Sequence, residues 1–400
     1  MSQMNRRQAL RLLAALGTTG FVSACGTGGG TGDGSDEPAS GSPINIGLIA
    51  PQSGSRKPIG DEIARGFQLF LQLNGQQLGG HPVNLVIADE GESVESGKAA
   101  VDRLLAQGVV ALTGVADPQV MLGIRDVVEQ ARVPLIGSNA SPSTLQSVVY
   151  IWRTSYVSDE AGRALGPYVA RQRHDSIGII APDDEVGRDA VEGFRETFGP
   201  SDPRLSDPIW TPSNSSPGKN AFDTHIRQLL RSDPDAIFCV YAGAAAVQFV
   251  KQLRAAGYRG RTKKIYAPGF LTEGTALDEL GSDAEGIQTA LNYSADLNNA
   301  ANRRFAAAFR KAHNASPTTY AVASYDAAQV LNKAIRLVKD PVVPQEVNLA
   351  IGKIGQIDSP RGAWQFNQPR TPQQKWYLRE VRYDGQVLAN VLINELATLG

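Results

Sequence analysis

From residue 44 onward, short apolar runs alternate with longer stretches whose apolar residues recur at helical spacing. The runs at 44–50, 83–88, 109–113, 177–181, 236–241 and 264–267 read as buried strands. Between them Ile63, Phe67, Phe70 and Leu71 repeat with a period near 3.6. So do Phe222, Ile226, Leu229 and Leu230, and then Ala246, Phe249, Val250 and Leu253 ahead of Gly257. Such stripes pack on the sheet formed by the neighbouring strands. The alternation predicts βα units around parallel sheets. One set precedes about Tyr156 and a similar one follows it, so the expected α/β fold has two Rossmann-like, doubly wound lobes. Past Gln356 the pattern turns β-like, at 364–366 and 376–381, and predicts added strands.

The chain has 400 residues, 42% hydrophobic and 20% charged, which suits a soluble globular body of two lobes. Lys+Arg 39 against Asp+Glu 40 gives a formal charge of −1. Removing the first 24 residues takes away three arginines and no acids, leaving 36 against 40 and a charge of −4. A nucleic-acid binder needs a basic footprint to neutralise phosphates, so that class is excluded. Cys25 and Cys239 are the two cysteines, and His81, His174, His225 and His313 lie far apart. No zinc-ligand spacing results, and no metal or cofactor is expected.

Arg6, Arg7 and Arg11 precede a short apolar stretch, and Val22-Ser23-Ala24-Cys25 puts small residues ahead of a cysteine. This resembles a bacterial lipobox: residues 1–24 are then a lipoprotein signal peptide, and the Cys25 thiol carries lipid after cleavage. An ordinary secretory signal is the alternative. Arg6-Arg7-Gln8-Ala9-Leu10 also resembles a twin-arginine signal, with Ala9 where a bulky apolar residue is usual, so both export routes stay open. Residues 25–43 read as the lipidated cysteine and a flexible, Gly-rich tether. Cys239, inside an apolar run, reads as a buried, inert thiol.

Ligands of doubly wound sheets bind where strand ends open into a crevice rimmed by helix N-termini. The strand ends here are small and polar: Pro51-Gln52-Ser53-Gly54-Ser55, Gly114-Val115-Ala116-Asp117-Pro118 and Gly137-Ser138-Asn139-Ala140-Ser141. Taken singly these residues are ordinary caps and turns; as a set on three strand ends they form a candidate site. Enzymatic patterns are missing: there is no G-x-x-x-x-G-K-[ST], G-x-S-x-G or H-E-x-x-H. Ser216-Pro217-Gly218-Lys219 has an S-x-x-K spacing but lies in a loop, and Asp183-Asp184-Glu185 reads as an exposed acidic turn.

Several motifs come in the order found in leucine/isoleucine/valine-type solute-binding proteins of ABC importers. They are 46–54 (IGLIAPQSG), Gly60 and Gly66, 134–141 (PLIGSNAS), Arg153-Thr154, Gly187-Arg188-Asp189, Tyr241-Ala242-Gly243 and 320–328 (YAVASYDAA). The resemblance implies the type I periplasmic binding protein fold, a Venus flytrap whose lobes are joined by three hinge crossings. Residues 44–156 plus 293–356 would form lobe 1, and 157–292 plus 357–400 lobe 2. The crossings are expected near 155–158, 292–294 and 356–359. The implied protein is not an enzyme. It is an exported monomer, held by lipid at the outer face of the cytoplasmic membrane or on its periplasmic side, and it delivers a small solute to an ABC permease.

Carried over residue by residue, Ala140 and Ser141 match the backbone and hydroxyl pair that holds a ligand carboxylate, and Tyr320 an aromatic at the ammonium end. Ile59 falls where a pocket tryptophan is usual, Pro118 where a serine is, and Val186 and Ala242 or Gly243 where tyrosines are. Gly269 falls where an acid pairs with the ammonium, with Glu273 nearby. Ser55, Arg56, Asp117 and Asn139 complete the expected lining, with Arg56 or Arg153 as a possible cation. These departures favour a carboxylated or amide-bearing organic solute larger than a branched-chain amino acid. Amino acids are the runner-up, and a sensor with the same lobes is a further alternative.

Overall fold

The computed structural model describes residues 41–213, 217–259 and 263–400. The signal segment, the lipobox with Cys25 and most of the tether lie outside the described residues. In the described part, β1 (Ile44–Ala50), β2 (Gln77–Leu78), β3 (His81–Asp89), β4 (Ala111–Gly114), β5 (Leu135–Gly137) and β6 (Ile151–Arg153) form one sheet. Its order is β2-β3-β1-β4-β5-β6, parallel apart from the β2–β3 hairpin. The second sheet comprises β7 (Ile177–Pro182), β8 (Ile209–Thr211), β9 (Ala236–Cys239), β10 (Lys264–Pro268), β11 (Gln288–Leu291), β12 (Gln365–Phe366), β13 (Pro372–Asp384) and β14 (Val387–Leu399). Its order is β12-β13-β11-β10-β9-β7-β8, with β14 paired to β13.

Helices cover these parallel strands, which is why they read as continuous apolar runs: all residues of β4 and β9 are buried. Helix Lys57–Leu73 carries Pro58 in its first turn and buries Ile63, Phe67, Phe70 and Leu71. Two glycines set its approach to its neighbours. A Cβ on Gly66 would stand 2.1 Å from the carbonyl oxygen of Ala321 in helix Thr319–Ile335, and one on Gly60 would stand 1.9 Å from that of Pro51. Any side chain there would push the helix off its neighbours. Cys239 is buried, and burial pushes its thiol pKa up, as its apolar setting predicts.

Three segments link the sheets, and their polar groups converge on one atom. The carbonyl oxygen of Ser155, just past β6, accepts Asn292 Nδ2 (2.8 Å), Gln374 Nε2 (2.9 Å) and Arg361 Nη1 (3.0 Å). Asn292 in turn accepts Thr319 Oγ1 (3.0 Å) at the start of helix Thr319–Ile335. Residues 357–371 stay against the first sheet. Trp364 Nε1 donates to Asp326 (2.9 Å), the Arg153 amide donates to the Arg370 carbonyl (3.0 Å), and Arg370 reaches the Val149 carbonyl. Within this stretch β12 pairs with the first residues of β13, and β13 is the strand that joins β11.

Candidate ligand-binding site

Both sheets turn the carboxyl ends of their parallel strands toward a cavity of about 250 Å³. From the first sheet come Ser55, Arg56 and Ile59 beyond β1, Ala116 to Gln119 beyond β4, and Asn139 beyond β5. The second sheet contributes Pro182 at the end of β7 and Asp184 to Val186 beyond it, Pro212 and Ser213 beyond β8, Val240 to Ala245 beyond β9, and Pro268 at the end of β10 with Phe270 beyond it. Phe222 precedes helix Asp223–Leu229, Tyr156 follows the first crossing, and Tyr320 opens helix Thr319–Ile335; all three complete the lining.

The polar groups of the first sheet are largely committed to each other. Glu90, at the end of β3 and fully buried, accepts the amides of Ala116 (2.8 Å) and Asp117 (2.7 Å). Burial outweighs these bonds and pushes the Glu90 carboxyl up to about 7. Asp117 caps helix Pro118–Ala131 through the amides of Gln119 and Val120, and pairs with Arg56. Asn139 Nδ2 donates to the Ala116 carbonyl (2.9 Å). In the second sheet, Asp184 accepts the Gly187 amide (2.9 Å) and Ser213 Oγ (2.6 Å). Helix Gly243–Ala255 differs. Its first residues line the cavity, Ala242 precedes it, and no side chain caps it. Unpaired amides at such a helix start favour an anion.

The remaining wall is aromatic. Phe270 lies 5.0 Å from Tyr156 and 5.9 Å from Tyr320 between ring centroids, and Phe222 lies 5.1 Å from Tyr241. These rings give the apolar lining on which flat, hydrophobic ligand bodies pack.

Of the residues expected from sequence, Ser55, Arg56, Ile59, Asp117, Pro118, Asn139, Val186, Ala242 and Tyr320 line this cavity. Ala140, Ser141 and Gly269 do not. The Ala140 amide donates to the Val115 carbonyl (3.0 Å), and Ser141 Oγ lies at 3.5 Å from Arg153 Nη1. Gly269 gives its carbonyl to Arg379 Nη2 (3.3 Å). Glu273 is buried against Arg379 (2.9 Å), not offered to a ligand ammonium. Arg153 is also buried and donates to the Pro369 carbonyl (2.9 Å); burial lowers its pKa to about 10. Sequence reading missed Tyr156, Phe270, Phe222 and Tyr241 as lining residues, and the acids Asp184 and Glu185. Phe270 and Tyr241 each adjoin a residue that had been singled out, so a shift of one residue in register hid them.

Two sheets that present their strand ends to one cavity, tied together by three crossings, define a two-lobed protein that encloses a small solute. The chain belongs to the periplasmic binding protein family, whose profile matches residues 43–386. Its fold is the type I form, and family and fold are those of the solute-binding proteins of ABC transporters, not of enzymes. The family implies an extracytoplasmic location; no helix among the described residues is long and apolar enough to cross a membrane. The chain is 24% identical to Leu/Ile/Val-binding protein homolog 6 of Brucella melitensis over 84% of its own length and 87% of the relative's. It is also similar to a solute-binding protein of an ABC transporter from R. palustris, solved in complex with benzoate. That similarity reaches 26% identity and a TM-score of 0.80 over 89% of this chain and 96% of that one. A leucine-binding protein from Thermotoga maritima shares the fold at 18% identity and a TM-score of 0.77, over 88% of this chain and 99% of that one.

Proposed function

We propose that this protein captures a small aromatic carboxylate between its lobes and delivers it to an ABC permease, while lipid on Cys25 tethers it to the membrane. The observation that carries this reading is the cavity wall: the rings of Tyr156, Phe270 and Tyr320 stand in one lining with Arg56 and the uncapped start of helix Gly243–Ala255. An aromatic body packs on the rings, and its carboxylate meets the free amides at the start of helix Gly243–Ala255, with the Arg56 guanidinium, which also pairs with Asp117, in the same lining. The relative solved with benzoate supports the same choice.

An amino-acid ligand is the second reading, favoured by the Leu/Ile/Val-binding relative. It has to seat an ammonium where Asp117 is already paired with Arg56, and Asp184 with Ser213. A buried cation without a partner is costly, so this reading is weaker. We place the lobe boundaries at the first crossing near 155–158, at the second near 292–294, and at the third near 371–374. The last differs from the 356–359 expected from sequence, because Trp364 and Arg370 still bond to groups of the first lobe, Asp326 and the Val149 carbonyl.

One experiment tests both parts. Cys25→Ala protein, recovered from the soluble extracytoplasmic fraction, is titrated calorimetrically with benzoate and with leucine. Saturable benzoate binding is expected, with leucine far weaker. Tight leucine binding without benzoate binding defeats the ligand reading, and a variant that stays membrane-bound and normally processed defeats the anchor.

A further inference from the structure

The described part of the chain buries seven tyrosines almost completely: Tyr156, Tyr241, Tyr258, Tyr266, Tyr293, Tyr320 and Tyr377. Five of them place their hydroxyl on a protein partner. Tyr241 meets Thr211 Oγ1 (3.1 Å), Tyr258 the Lys264 carbonyl (3.1 Å), Tyr266 His174 Nε2 (3.0 Å), Tyr293 Asn302 Oδ1 (2.9 Å) and Tyr377 the Arg361 carbonyl (2.9 Å). The two whose hydroxyls have no such partner among the described residues are Tyr156 and Tyr320. Both line the ligand cavity, at 9% and 6% exposure, on either side of Phe270. A buried hydroxyl without a partner is costly, and the other five buried tyrosines avoid that cost. The two exceptions among the buried tyrosines coincide in the lining of one cavity.

The chemistry around them selects what they take. Burial, more than anything else, opposes ionisation of both phenols, so they act as neutral donors and acceptors. Near Tyr320, the carboxylates of Glu273 and Glu62 add to that opposition. The cation in their company, Arg379, is 2% exposed and already bound to Glu273 and to the carbonyls of Tyr293 and Gly269. A second carboxylate is therefore repelled at this end, whereas a neutral hydroxyl is not. We propose that Tyr156 and Tyr320 are specificity-determining residues that hydrogen-bond a ring hydroxyl of the ligand, so that the preferred class is hydroxylated aromatic carboxylates. This rests on the aromatic-carboxylate reading above.

The test is calorimetry of benzoate and of 2-, 3- and 4-hydroxybenzoate on the wild type, Tyr156→Phe, Tyr320→Phe and the double variant. In the wild type at least one hydroxybenzoate should bind about tenfold or more tightly than benzoate. The double variant should bring that ligand to within about twofold of benzoate measured on the same variant. Benzoate binding with no preference for any hydroxylated isomer overturns the inference and leaves the aromatic-carboxylate reading standing, as does a preference that survives in the double variant. Failure of all four compounds on the wild type overturns both. The wild-type comparison decides by itself where a variant does not fold.

Discussion

Glu90 and Glu160 are carboxyls whose pKa burial raises to about 7. Glu90 accepts two amides and faces Asp117, with Arg56 the cation that acts on it; Glu160 accepts the Val157 amide (3.0 Å) and faces Asp159, Gln374 and Arg361. In both, burial is the largest influence and pushes the pKa from 4.5 to about 7. The folded chain thus binds a proton that the unfolded chain releases. The stabilising contribution is complete below the unfolded value of 4.5 and is lost as pH rises through about 7. Each group alters stability by at most about 1.4 kcal/mol per pH unit in that window. Urea unfolding of the wild type should show stability falling from about pH 5 to about pH 8, and Glu90→Gln or Glu160→Gln should each flatten the slope. A wild type whose stability rises across that range contradicts the assignment.

At the scale of elements, the loop between β5 and β6 and the helix Glu185–Phe198 belong to opposite sheets and meet at their surfaces. The Ser143 amide (3.0 Å) and Ser143 Oγ (2.7 Å) engage the two oxygens of Asp189, and Thr144 bonds Glu185. Neither Ser143 nor Asp189 lines the cavity, whereas Glu185 does, so it is the Ser143–Asp189 part of the contact that favours closure without choosing the ligand. Ser143→Ala removes a hydrogen bond to a charged group, and ligand affinity should weaken about tenfold with the ranking of ligands unchanged. A changed ranking would mean that the loop touches ligand after all.

That contact illustrates what the sequence makes legible. The long parallel strands and amphipathic helices follow from periodicity, because each is buried by its own βα unit. The strand β5, three residues long, and β8 are too short to carry a period. The site is read in part for a similar reason. Arg56, Asp117 and Tyr320 stand in the cavity lining, whereas Ser141 is buried outside it with its hydroxyl toward Arg153, a partner distant enough in sequence that no local pattern marks it. Tyr156 was visible only as a boundary residue, since nothing local marks a tyrosine whose importance is the lack of a partner for its hydroxyl.

At the scale of the whole molecule, the crossings decide what closure can be. Ser155 receives donors from Asn292 beyond β11, from Arg361 in the segment leading into β13 and from Gln374 in β13 itself, so the three links share one hydrogen-bonded knot. Asp326, buried with Ser359, Arg361 and Trp364, anchors that knot to helix Thr319–Ile335. A pivot fixed on both sides allows the sheets to approach as rigid bodies, which is hinge closure. The ligand drives it only as far as it binds the closed arrangement better than the open one, and that requires contacts from both sheets at once. The cavity meets this requirement, with Arg56 on one side and helix Gly243–Ala255 on the other. Small-angle scattering of the Cys25→Ala protein should therefore give a smaller radius of gyration with saturating benzoate than without it. Ser143→Ala should enlarge the unliganded radius and leave the liganded one unchanged, because the lost contact favours closure and the bound solute restores it. Equal radii with and without a ligand proven to bind would mean that the solute enters a site already closed, and the flytrap mechanism would then fail for this protein.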